Sequence, residues 1–127
     1  MSITNAALAV ISGLVGNVDT QTAFTYVANG SGSTAAAASQ TALVSENANT
    51  YGFGRAAATV TRQTTTQTND TVQFYKLWTA TGSVTVREVG VFNASSSGTM
   101  LARTVLAADK SISSGETFAL TYKVAFA

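Results

Sequence analysis

The last twelve residues, ETFALTYKVAFA, constrain the fold more than any other stretch of the chain. Phe118, Leu120, Tyr122, Val124 and Phe126 fall at every second position, opposite Thr117, Thr121 and Lys123. A period of two places the first set on one face of a β-strand and the second on the other, so the segment reads as a strand with one buried and one solvated side. The same period recurs upstream. RAAATVTRQ and TVQFYKLWTA flank the polar tip TTTQTND, and SVTVREVGVFN and TMLARTVLA flank ASSSG, each pair with the spacing of a hairpin. Threonine fills about one position in six, which suits half-exposed strands through its β-branching, and no proline interrupts them. Regularly spaced strands between Gly, Ser and Asn turns predict a mainly β fold, an antiparallel β-sandwich of jelly-roll-like form, with a barrel as the second architecture.

The N-terminal stretch departs from this period. Ile3, Ala6, Ala7, Val10, Ile11, Leu14 and Val15 recur at the spacing of one helical face, with Ser2 placed to cap the start and Gly16 suited to the end. A secretory signal would need a positive leading region, which is missing, and Met1 to Val15 is too short and too polar for a membrane span. The chain therefore reads as a single domain over 1–127, with a helical arm at 1–20 and a β-sandwich at 21–127. The arm either packs on its own domain or docks on a neighbouring subunit, and Ile3, Val10, Ile11 and Leu14 are its contact residues. TAFTYVA, with Phe24, Tyr26 and Ala28 alternating against Thr25 and Val27, reads as the first strand of the sandwich. The Ala-rich segment Thr34 to Glu46 is expected as one short helix or an irregular crossing, because Leu43 and Val44 are its only large apolar residues.

Composition excludes several functions. Charged residues make up only 10 % of the chain, against roughly 25 % in an ordinary soluble domain, so much of the surface is neutral or covered by a partner. Sheet edges with so few charges are usually paired or covered, which points to an obligate assembly. A net charge of +1 and scattered basic residues leave no footprint for nucleic acid. Without cysteine or histidine there is no thiolate nucleophile, no zinc framework and no imidazole base. Asp19, Glu46, Asp70, Glu88, Asp109 and Glu116 lack calcium-loop spacing, and NGSGST lacks both the spacing and the lysine of a phosphate loop. No enzyme, cofactor or metal is expected.

One pair of charges breaks the pattern. Val84 and Val86 occupy even positions and Val89 and Val91 odd ones, so the alternation slips at Arg87 and Glu88. One extra residue at that point, a β-bulge, returns both valine pairs to the core face, and Gly90 eases the bend. A Glu88 that points inward or along a sheet edge needs a cation, and Arg55 and Arg103 are the candidates. Such a pair lowers the carboxyl pKa, the wrong direction for a general acid.

Taken in order, YVANGSGSTAAAASQTALVSEN, an Arg after a short turn, TVREVGVFNASSSGTMLAR and SISSGETFALTYKVAF resemble a group of small structural proteins of tailed bacteriophages. The shared pattern is a Gly-Thr-rich loop with TALxxE, a strand close to REVGxF, a Gly turn before LAR, and a terminal SGxxxxxxYxxxF strand. Similar motifs occur in tail-collar and tail-fibre proteins. The resemblance implies a virion component. The first expectation is a capsid decoration or cement protein that oligomerises as a dimer or trimer and clamps the major capsid protein, at the capsid surface in preference to the tail. The second is a tail-fibre or collar adaptor, contacting other tail proteins, or a glycan-binding tail module with Trp78, Tyr75, Tyr51 and Phe53 as candidate platforms.

Overall fold

The computed structural model describes residues 2–126. A two-residue strand β1 (Ser2–Ile3) leads into helix α1 (Asn5–Gly16), followed by β2 (Tyr26–Gly30), a 3-10 turn at Asn49–Tyr51, β3 (Ala56–Ala57) and β4 (Thr59–Gln63). The remaining strands are β5 (Thr71–Thr79), β6 (Val84–Phe92), β7 (Met100–Ile112) and β8 (Thr117–Ala125). They form two antiparallel sheets, of order β1-β7-β6-β2-β3 and β4-β5-β8, and the expected sandwich is the architecture found. Neither sheet closes on itself, so the barrel alternative falls away.

Both expected hairpins are present, β4 with β5 and β6 with β7. The segment read as one strand from Arg55 to Gln63 changes sheets instead: Ala56 and Ala57 pair with β2, and from Thr59 onward the chain pairs with β5. Small side chains at the crossing let one run of backbone serve both layers. Between the sheets lies the main core, where Val27, Val86, Val89 and Val91 of one layer meet Phe74, Trp78, Leu120 and Val124 of the other. The terminal strand behaves as its period requires up to Val124, while Phe126 lies beyond the strand and is 71 % exposed. At the tip between β4 and β5, Asp70 accepts hydrogen bonds from the amides of Gln67, Thr65 and Thr66. Those donors, Gln67 foremost, hold its carboxyl well below the usual carboxylate range.

The crossing from Ser31 to Ala48 is irregular, the second of the two expected forms. It lies over the outer face of the five-stranded sheet, where Leu43 joins Ala28, Phe92 and Met100 in a second, smaller apolar cluster. One buried leucine gives no helical stripe, so alanine propensity alone does not fold it. Gly90 has a different task from the expected easing of a bend: a Cβ there would sit 2.9 Å from a Leu43 methyl, so the glycine makes room for the crossing.

At the N-terminus the cap is Thr4, not Ser2. Ser2 is drawn into β1 by pairing with Arg103, which moves the helix start two residues on. The Thr4 hydroxyl accepts from the Ala7 amide at 3.1 Å and donates to the Met100 carbonyl, so the cap also fastens α1 to β7. The helix closes on Asn17 in the left-handed conformation, one residue past Gly16. Replacing Thr4 by Ala removes the cap and leaves a buried carbonyl without its donor. T4A is expected to lower unfolding stability by about 1–2 kcal/mol, with T4S close to wild type, as measured by urea midpoint.

Candidate functional site

The break in the valine alternation is where the structure concentrates its buried charge. Val86 pairs with Lys110 and Glu88 with Val105, so Arg87 on β6 and Leu106 to Asp109 on β7 stand outside the ladder. The interruption falls at the charged pair, but the longer excursion is in β7, not in β6 as expected. Arg87 bridges it, donating from Nε to the Leu106 carbonyl at 2.7 Å and from Nη1 to Asp109 at 3.2 Å. Val86, Val89 and Val91 thereby all face the main core, and Glu88 turns to the opposite face.

There Glu88 is completely buried, beneath the crossing segment. Arg103 on β7 donates from Nε to Glu88 Oε1 at 2.7 Å. The amides of Gly32, Val44 and Ser45 donate to the same carboxylate at 2.8, 2.8 and 2.7 Å. Arg103 reaches the crossing as well, through Nη1 to the Thr34 carbonyl and to Gln40 Oε1, while its Nη2 has no protein partner among the described residues. Burial pushes the Glu88 carboxyl upward, but Arg103 and the three amides together outweigh it and hold the group below the ordinary carboxylate range. A carboxylate so fully supplied with donors stays ionised and has no proton to deliver. Its chemistry is attachment.

Arg55, the other candidate partner of Glu88, goes elsewhere. It forms a two-pronged pair with Glu46, at 3.0 and 2.7 Å, and donates to the carbonyls of Ala94 and Ser97. Its guanidinium lies 3.6 Å from the centre of the Phe92 ring. It thus ties the far end of the crossing to the turn between β6 and β7. Asn29 adds a third tie from the sheet: its Nδ2 donates to the Phe53 carbonyl and its Oδ1 accepts from Asn47.

The residues named on the helix divide. Val10 is buried with Ala7 against the main core, and Ile3 and Ile11 pack partly on it. Leu14 stays 38 % exposed, and Leu8 and Val15, further out on the helix, are 56 % and 84 % exposed. Between them and Phe126 opens a groove of about 480 Å³, lined among the described residues by apolar side chains alone, with Phe24 and Phe74 at its floor. Sequence reading missed Leu8 and Phe126 as surface residues. Leu8 breaks the helical stripe, and that departure was the available signal.

Of the four aromatic candidates for a binding platform, Trp78 and Phe53 are buried and stacked on one another at 6.1 Å, which removes them. Trp78 also donates its Nε1 hydrogen to the Gly54 carbonyl. Tyr51 and Tyr75 remain at the surface. Among the described residues, no three Asp or Glu side chains gather where a metal ion would sit. No helix among the described residues is long and apolar enough to cross a membrane.

The buried Glu88, Asn29 and Thr4 all bind main chain, so these polar groups fix the shape of the sandwich. Residues 3–124 match the family model described as podophage GP4 fiber I protein gp80, and the chain belongs to that family. It is a small structural protein of a phage virion. No curated protein matches it.

Breaking a buried ion pair by removing one member leaves the other charge uncompensated, at a cost of about 3–5 kcal/mol. E88Q and R103M are each expected to lose stability in that range, and the double variant E88Q/R103M to lose less than the sum, by denaturant unfolding at pH 7. Because the folded chain holds the Glu88 proton more weakly than the unfolded chain does, the stabilisation is complete above the ordinary carboxylate range. It is lost as pH falls through the lowered folded value. The stability gap between wild type and E88Q is expected to narrow on acidification from pH 5 downward.

Proposed function

We propose that this chain is a non-enzymatic structural element of a phage fibre assembly, and that it works as a homo-oligomer joined through the apolar groove beside α1. The observation that carries the self-assembly is the groove itself. Among the described residues it has no polar side chain in its lining, and it reaches the main core at Phe74, so a lone subunit leaves core-facing surface open to water. The same element supplies a fitting insert: Leu8 and Val15 stand two helical turns apart on one ridge of α1 and are exposed. A second copy therefore offers both the ridge and the groove, with no charged side chain in the groove lining among the described residues. This supports an isologous contact in a dimer, or a repeated one in a trimer.

The family description names a fibre protein, and that favours a fibre over the head shell. The cement role at the capsid surface, clamping the major capsid protein, draws no support from it. In the fibre reading the neighbours are other copies of this chain and other tail proteins, and the fold's contribution is rigid shape.

Light scattering on the purified chain is expected to give a dimer or trimer, and L8D/V15D a folded monomer. Each buried Leu or Val contributes about 1.5–3 kcal/mol, so the double change should weaken association at least about a hundredfold. A wild-type chain that is monomeric, and that binds a separately purified virion protein through the same residues, would give the groove to another occupant. Labelled antibody on intact virions is expected at discrete fibre positions; labelling over the whole head would return the protein to the shell.

A further inference from the structure

The return from α1 to the body of the sandwich is the strained part of the backbone. Asn17, Asp19 and Thr20 all lie in the left-handed region, at φ of 52°, 60° and 48°. Asn and Asp tolerate that region, and Asn17 uses it to close the helix. Thr20 is the one β-branched residue with positive φ among the described residues, and its Cβ substituents crowd the main chain there. The return is also tight. The Val18 amide donates to the Gly13 carbonyl at 2.8 Å, and a Cβ on Gly13 would stand 2.3 Å from Gln21 Cγ. The chain doubles back against the end of the helix it has just left.

What this strained return achieves is to hold β1 and α1 against their own body. The contacts of that arm form a short set. Ser2 and Ile3 pair with Arg103 and Ala102, the Thr4 amide donates to the Leu101 carbonyl at 3.0 Å, and the Asn5 amide donates to the Ala38 carbonyl at 2.8 Å. Ala7 and Val10 enter the main core. Each of these contacts depends only on the arm and the surface that receives it, so the same set forms on the body of a second copy. Residues 17–25 join arm to body and span up to about 30 Å when extended, enough to cross to a neighbour. Extension also lets Thr20 leave the left-handed region.

We infer that the assembled copies exchange residues 2–16, each arm seated on its neighbour's body with residues 17–25 drawn out between the two. The inference rests on the self-association proposed above and specifies its form. Exchange keeps every contact of the closed chain and removes the strained return, the condition under which a short hinge favours swapping. The ridge of Leu8 and Val15 in the groove brings two copies together, and each arm then has a second body within reach. Without that ridge contact the arm closes on its own body, as in the single chain.

The chain has no cysteine, so two introduced ones report where the arm sits. Thr4 and Leu101 form a hydrogen-bonded pair, which makes Ile3 and Ala102 the adjacent non-hydrogen-bonded pair, with Cα atoms about 4.5 Å apart and within disulfide reach. Ala102 is fully buried, so a thiol there meets only a seated arm. I3C/A102C is oxidised after assembly and run on a gel without reductant. Exchange predicts covalently linked multimers, and a closed arm predicts single chains with an internal disulfide. In a second measurement, I3C and A102C chains, each shown folded by thermal unfolding, are unfolded together and refolded, and they are expected to cross-link to one another. T20G takes the left-handed conformation without strain, and adding it to I3C/A102C should lower the cross-linked fraction at least twofold. An undiminished fraction with T20G would overturn the inference. So would a dimer or trimer whose disulfides all lie within single chains, or mixed chains that do not cross-link, and either result would leave assembly through the groove standing. A wild-type chain that is monomeric by light scattering would overturn both.

Discussion

The Glu88 carboxylate is the point on which the outer half of this structure depends. It lies on the face of the five-stranded sheet turned away from the main core, in a place where an unpaired charge would not be tolerated. Four donors meet it, one from the neighbouring strand and three from the crossing segment. Hydrogen bonds to an ionised group contribute about 1.5–3 kcal/mol each, and a small domain has about 5–15 kcal/mol of net stability in total. One side chain thus governs a large share of the margin. Without it, the amides of Gly32, Val44 and Ser45 would be left without their acceptor beneath the crossing, and Arg103 would be a lone buried cation.

That dependence explains the disposition of the crossing. A segment with a single buried leucine has little hydrophobic reason to lie flat on a sheet. Its attachment is polar and distributed: Glu88 near Gly32 and Ser45, Arg103 at Thr34 and Gln40, Arg55 at Glu46, and Asn29 at Asn47. Leu43 then fills the gap left by Gly90 and touches the small cluster around Phe92. A bond set of this kind is directional where a greasy contact is not, so the crossing takes one path over the sheet. It also carries the 3-10 turn and Tyr51 to a defined place above the β5–β6 connection.

The parts of this arrangement that were legible in the sequence are those with a period or a break in one. The alternation in β8, the valine slip at Glu88 and the two hairpin tips all follow from side chains that must choose a face. The short motifs TALxxE, REVGxF and LAR lie apart in the sequence, yet the structure joins them on one surface. Leu43 and Glu46, Glu88 and Phe92, and Arg103 all meet on the outer face of the same sheet. What was not legible is anything decided by main-chain groups far apart in the chain. No side-chain pattern announces that the amides of Val44 and Ser45 will cap a carboxylate on β6, nor which of two arginines reaches it. The helix start was misplaced for a similar reason, since the pairing of Ser2 with Arg103 belongs to the sheet. The excursion in β7 was likewise hidden, because Leu106 to Asp109 carry no signal of their own and the bulge was visible only from its partner strand.

The two faces of the sandwich follow from that division of labour. On the side held by Glu88 and Arg55, charge has been turned inward and used to fix backbone, which leaves the loop surface neutral and rigid around Tyr51. On the side closed by α1, the helix buries Ala7 and Val10 but is too short and too sparsely apolar on that stripe to cover Phe24 and Phe74 completely. Its remaining apolar residues face outward along the gap. A chain with only 10 % charged residues therefore keeps its polar precision for one end and leaves an unfilled hydrophobic seam at the other. The seam suits permanent contact between subunits, where dehydration is the driving force. The crossing is fastened mainly through Glu88, Arg103, Arg55 and Asn29, and one further bond, the Asn5 amide donating to the Ala38 carbonyl at 2.8 Å, joins it to the start of α1.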